Sequence, residues 1–153
     1  DTIRGKNQSG VIVSMVERRS KLTKLVQLPR RTADAVGQAL IDSLTPIKGF
    51  VHTLTADNGK EFAGHTTVAK LLEAGFYFAK PYHSWERGLN EHTNGLVRQY
   101  FPKTMRFDEI TTEKLMEVEI LLNNRPRKIL GFSTPQEIFN ELSKSTKNQH
   151  MNA

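Results

Sequence analysis

Residues 50–62 read FVHTLTADNGKEF. The first seven, 50–56, are apolar and β-branched enough to predict a strand, and Asp57-Asn58-Gly59 supplies the turn that ends it. An aspartate at that point leaves the sheet edge on a rigidly held backbone, while the turn swings the chain away. An Asp-Asn-Gly turn on its own signals conformational tolerance, so the rest of the chain decides whether this carboxylate does chemistry. Two further acids stand out: Asp1, and Glu91 in RGLNEHTNG at 87–95. Sixteen acidic residues make a spaced trio uninformative by itself, and the flanking residues must carry the reading. A carboxylate trio gathered from distant segments suits two-metal phosphoryl transfer. Hard Mg²⁺ takes oxygen ligands, and two such ions clamp the attacking and leaving oxygens of an in-line displacement.

Glu91 is tested by helical geometry. At about 100° per residue, Leu89, Leu96, Val97, Tyr100 and Phe101 of segment 89–101 share one face. Glu91, Asn94 and Arg98 share the opposite face, with Arg87 extrapolating nearby, so Glu91 projects away from the core stripe. Gly95, costing about 1 kcal/mol in a helix interior, fits a close approach by DNA or another backbone.

The remaining pattern is that of one α/β unit without repeats. GVIVSMV (10–16) and KLTKLVQL (21–28) predict a hairpin across the polar turn Glu17-Arg18-Arg19-Ser20. Thr32 N-caps a helix closed by Pro46. A helix over 66–74, a short FYFA strand, an irregular loop over 80–88 and a helix over 111–123 follow. A short helix starts near Thr134-Pro135, and the polar segment from Ser143 is expected to fray. DTI at the start is too short to establish a strand.

Composition bounds the function classes. The chain of 153 residues is 37% hydrophobic, enough for one domain with a core. A formal charge of +6 and a pI near 9.7 favour a polyanionic partner, although many basic proteins bind no nucleic acid. The absence of cysteine excludes disulfides, thiolate zinc sites and cysteine nucleophiles. No apolar run approaches the roughly 20 residues of a membrane span, no secretory leader is seen, and a cytoplasmic protein is expected. The missing initiator Met suggests an excised domain or processed chain. His52, His65 and His92 share no ligand spacing, and hard carboxylates favour Mg²⁺ or Mn²⁺.

Several motifs in order carry a resemblance. The string from Thr55 to Lys103, TADNGKEFAGH…PYHSWERGLNEHTNGLVRQYFPK, resembles the catalytic core of bacterial insertion-sequence transposases of the insertion-sequence thirty type, relatives of retroviral integrases. DTIRGK (1–6), VERRSKLTKLVQLPRRTADAV (16–36) and NNRPRKILGFSTPQEIF (123–139) extend it over Asp1 to Glu141. The resemblance implies a ribonuclease H-like fold: a central mixed sheet of about five strands flanked by helices. It implies an integrase-like core over 1–142, a polar tail over 143–153, and end recognition by an N-terminal helix-turn-helix region outside this chain.

Carried onto this sequence, the family's catalytic and metal-binding acids fall on Asp1, Asp57 and Glu91, with Asp1 assigned by the resemblance alone. They would hold Mg²⁺ or Mn²⁺, two ions when DNA is bound. Lys60, Arg87, Asn90, Asn94, Arg98, Arg125 and Arg127 are expected to contact DNA. Glu61 beside Lys60 is expected either to meet DNA ends or to solvate its loop. His83 and Trp85 on the 80–88 loop, and the basic residues Arg18, Arg19, Lys21, Arg30, Arg31 and Lys128, are softer candidates. The partners implied are transposon ends, target DNA and further copies of the chain, with no membrane and a cytoplasmic, nucleoid-associated location. Rival readings are a stand-alone metal-dependent nuclease of the same fold and a non-catalytic DNA-binding remnant.

Overall fold

The computed structural model describes residues 1–80 and 88–151, with side chains through residue 145. Strands β1 (Thr2–Arg4), β2 (Val11–Val16) and β3 (Thr23–Leu28) form an antiparallel sheet in the order β1-β2-β3. Strands β4 (Thr53–Ala56) and β5 (Gly75–Phe78) form a parallel pair. Helix α1 (Ala33–Leu44) lies between these sets in sequence, and α2 (His65–Leu72) connects β4 to β5. Helices α3 (Gly88–Tyr100), α4 (Thr112–Asn123) and α5 (Pro135–Met151) follow β5.

Strand β2 explains the layering. Val11 to Ser14 are all buried, which is why this stretch reads as an unbroken apolar run rather than an alternating one. Ile12 packs with Val97 of α3, Phe101 just beyond it, Phe107, and Val118 and Leu122 of α4. Val13 points the other way, toward Val36 and Leu40 of α1 and Val68 and Leu72 of α2. Helices therefore cover both faces of the sheet. Each fully buried Val, Leu or Phe contributes about 1.5–3 kcal/mol of transfer free energy.

Strand β3 is the outer strand of its sheet, and its edge is covered by α4. Asn123 accepts from Thr23 N at 2.8 Å and donates to Thr23 O at 2.7 Å, while Glu119 accepts from Leu25 N at 2.7 Å. Two side chains thereby satisfy backbone groups that would otherwise template strand addition.

Several sequence expectations need correction. The expected single sheet of about five strands is found as a three-stranded and a two-stranded ladder. With three residues β1 pairs with β2, and four-residue β4 pairs with β5. Among the described residues no ladder joins β1 to β4, although both ladders pack on one core through Val13 and Ala56. Residues 50–52 are not strand, because the chain after Pro46 continues as 3-10 turns over Thr45–Phe50. The short triplet Thr2–Arg4 is a strand, fixed by its register against Val11–Val13. The segment from Ser143 is helical as far as Met151 rather than frayed. The hairpin and the two helix starts capped by Thr32 and Thr111 agree with the sequence reading.

Candidate active site

The Asp57 turn is pinned from three directions. Asp57 Oδ1 accepts from Gly59 N at 3.0 Å, closing the turn on itself. Asn58 donates to the carbonyl of Ala79 at 3.3 Å, and Ala79 N donates to Ala56 O at 2.8 Å, so the turn is fastened to the end of β5. Asp57 thus leaves the end of a parallel strand pair, where α/β folds ordinarily place their ligands.

Asp1 continues the β1–β2 pairing by one residue. Asp1 N donates to Ser14 O, and Ser14 N returns a bond to Asp1 O, each at 2.9 Å. Its carboxylate accepts from Thr2 N at 2.7 Å through Oδ1 and from Asn94 Nδ2 at 2.8 Å through Oδ2. Asn94 in turn accepts from Ser14 Oγ at 2.6 Å. Helix α3 is therefore tied to the start of β1 one turn beyond Glu91. The sequence reading of Glu91 and Asn94 as neighbours on one face holds, because Val97 and Phe101 are buried on the other. Thr93 is also buried, where the sequence suggested no apolar position.

Glu61 departs most from expectation. It is 4% exposed, so it neither solvates its loop nor reaches out toward a DNA end. Its Oε1 accepts from Thr2 Oγ1 at 2.9 Å and pairs with Arg31 at 3.0 Å, linking the Asp57 turn to β1 and to the segment before α1. The signal available in the sequence was weak: an acid four residues beyond Asp57, followed by an apolar Phe62 that drags it inward.

Glu91 is exposed and lines an open groove of about 490 Å³ with Thr2, Ile3, Arg4, Asn94, Gly95, Arg98 and Lys103. Gly95 faces open space, so no part of the chain itself accounts for a glycine there. Arg98 is partly committed within the protein: it donates to the carbonyls of Arg4 and Phe101 at 2.8 and 3.4 Å and lies 5.4 Å above the Phe107 ring. Burial lowers its pKa, though a guanidinium stays charged. Arg127 is similarly engaged, donating to Leu122 O at 3.1 Å, with its pKa lowered by burial first and by Arg125 second. Arg125, Lys60 and Lys128 are exposed, and Asn90 sits half-buried in the first turn of α3. Arg87, with His83 and Trp85, lies outside the described residues. Among the described residues, no group of three acidic or histidine side chains is close enough to hold one metal ion. The donors nevertheless suit a hard cation, being carboxylate oxygens at one strand end, one strand start and one helix face.

The chain is 49% identical over 142 residues to a transposase for insertion sequence element IS4351 of Bacteroides fragilis, matching 93% of this chain and 44% of that protein. It is 40% identical over 139 residues to transposase InsI for IS30A of Escherichia coli K12, matching 90% of this chain and 36% of that protein. It thus spans less than half the length of either relative. The catalytic core domain of BIV integrase superposes with a TM-score of 0.68 at 27% identity, covering 97% of this chain and 95% of that one. No protein-family model matches.

Proposed function

We infer, from the premise that this chain belongs by homology among the IS30-type transposases of insertion sequences, that it is the catalytic core that cuts and rejoins DNA for such an element. One observation carries the reading furthest. A run of side-chain bonds links the Asp57 turn through Glu61 and Thr2 to β1, and Asp1 through Asn94 to the helix that bears Glu91. Acids from two strands and a helix are thereby tied into one frame beside a groove edged by Arg4, Arg98 and Lys103. A sheet edge for carboxylates and a basic groove for phosphates are the two parts that phosphodiester chemistry needs.

Asp1, Asp57 and Glu91 would hold Mg²⁺ or Mn²⁺, two ions when DNA is bound, supplying Lewis acidity to the attacking and leaving oxygens. The protein's own residues hold and orient. Asn94 keeps the Asp1 carboxylate turned toward α3, and Asn58 with Gly59 fixes the direction of Asp57. Lys60, Arg87, Asn90, Asn94, Arg98, Arg125 and Arg127 form the proposed DNA contacts. For Arg98 and Arg127, the donors not already bonded to carbonyls would serve. Water attacks first and frees a 3′-hydroxyl. That hydroxyl then attacks target DNA, so the enzyme forms no covalent bond to its substrate.

To the same reading belong a ribonuclease H-like fold, a core over 1–142 with 143–153 as an appendage, and end recognition by a separate region of the longer protein. So do an active homo-oligomer and a cytoplasmic, nucleoid-associated location. No described helix is long and apolar enough to cross a membrane.

The test is a joining assay. Protein of the relatives' full length, Mn²⁺ and a pre-cleaved, labelled transposon end should give products longer than the donor on a denaturing gel. The isolated chain should join poorly, because alignment of the ends contributes several kcal/mol. Shortened fragments alone would favour a simple nuclease, and unchanged DNA a non-catalytic remnant.

A further inference from the structure

We propose that Glu61 is a positioning residue of the carboxylate site, one that fixes the Asp57 turn against β1 and sets a second negative charge behind Asp57. This rests on the metal-binding reading above and adds to it an acid that does not itself belong to the trio.

The two oxygens of Glu61 have opposite circumstances. Oε1 is satisfied twice, by Thr2 at 2.9 Å and by Arg31 at 3.0 Å, and Arg31 also reaches Thr2 Oγ1 at 3.4 Å. Oε2 is buried and has no hydrogen-bond partner among the described residues. Its direction is fixed by Gly59: a Cβ built there would stand 2.3 Å from Glu61 Oε2 and 2.8 Å from Asp57 Oδ1. Both carboxylates therefore crowd the space a side chain at 59 would fill.

A buried carboxylate oxygen without a donor lowers stability, and a second carboxylate on the same side of Gly59 lowers it further. For folding alone a glutamine would serve better, since its amide could accept from Thr2 and donate toward Asp57. The glutamate instead adds negative potential near Asp57, which a cation there would offset. Groups standing behind a metal ligand commonly govern affinity about as strongly as some ligands do. Arg31 sits on Oε1, where it neutralises part of the Glu61 charge.

Mn²⁺ titration of the purified chain by calorimetry, with melting temperatures taken in the absence of metal, tests this. Glu61→Gln should melt at the native temperature or above and bind Mn²⁺ about tenfold or more weakly. A purely structural clamp would leave Mn²⁺ affinity unchanged in this isosteric variant, and that result overturns the inference. Arg31→Met removes the offsetting charge but keeps Glu61, so it should bind Mn²⁺ at least as tightly as the native chain. Weaker binding by that variant would overturn the charge role even if Glu61→Gln failed to fold. Asp57→Asn separates the two levels. If it abolishes binding while Glu61→Gln does not weaken it, only this inference falls. If Asp57→Asn binds normally, the metal-site reading falls with it.

Discussion

At the scale of single residues, Gly59 shows how much of the site depends on what is missing from a position. A methyl group there would press on Glu61 Oε2 and Asp57 Oδ1, and Glu61 is too tightly held by Thr2 and Arg31 to yield freely. Gly59→Ala should therefore cost about 1–3 kcal/mol, the usual range for overpacking, read from urea midpoints. Asp57→Asn should behave oppositely: DNA cleavage is lost while the melting temperature stays level or rises, because one of two crowded charges is removed. A variant with near-native cleavage would remove Asp57 from the chemistry. The sequence pointed to Asp57 through the motifs around it, since a strand running into Asp-Asn-Gly is on its own an ordinary turn. It did not reveal the burial of Glu61, since nothing local in NGKEF says that its fourth residue turns inward to meet a threonine 59 positions earlier. Side-chain partners so distant in sequence leave no periodic trace.

At the scale of elements, α3 sets a buried face carrying Val97 apart from an exposed face carrying Glu91. Phe101→Ala empties a fully buried position and should cost about 3–5 kcal/mol. Glu91→Gln, on the exposed face, should leave the denaturation midpoint near native while abolishing cleavage. The hairpin turn offers a pH test. Burial pushes the Glu17 pKa up, but donors from Arg19 N and from Ser20 Oγ and N, with the charge of Lys21, outweigh it and hold it below the usual glutamate value. A depressed carboxylate adds stability above its unfolded pKa and loses it as the pH falls through the folded one. Glu17→Gln should therefore be less stable than the parent at pH 7, and the gap should close toward pH 3. A gap of constant size would assign the effect to something other than ionisation. Elements with strong local signals were legible: the helix capped by Thr32, the hairpin, and the amphipathic α3. Strand β1 was not, because three residues carry no period and pairing with β2 defines it. Nor was the length of α5, whose apolar residues Ile138, Phe139 and Leu142 stop well before Met151 while the backbone ladder propagates cooperatively.

At the scale of the whole molecule, helices on both faces of β1-β2-β3 fix that sheet and the place where Asp1 emerges, while the β4-β5 pair fixes where Asp57 does. Helix α3 serves two purposes, packing Val97 into the core and holding Asp1 through Asn94. The layered α/β class was legible from the alternation of strand and helix patterns, whereas the split into two ladders was not, since short strands give no signal for which edges pair. A basic chain of charge +6 should bind duplex DNA with an affinity that falls steeply with salt, by about 0.9 log units per log unit of salt for each phosphate contacted. Filter binding at several salt concentrations would show the slope, and a flat profile would remove the phosphate-contact role. The most direct test of the carboxylate site is anomalous diffraction from crystals of the chain soaked in Mn²⁺. The expected result is a manganese peak bound by Asp1 and Asp57, with the Glu91 carboxylate drawn within reach of the same centre. A crystal with α3 ordered, manganese present, and no peak between these carboxylates would contradict the assignment.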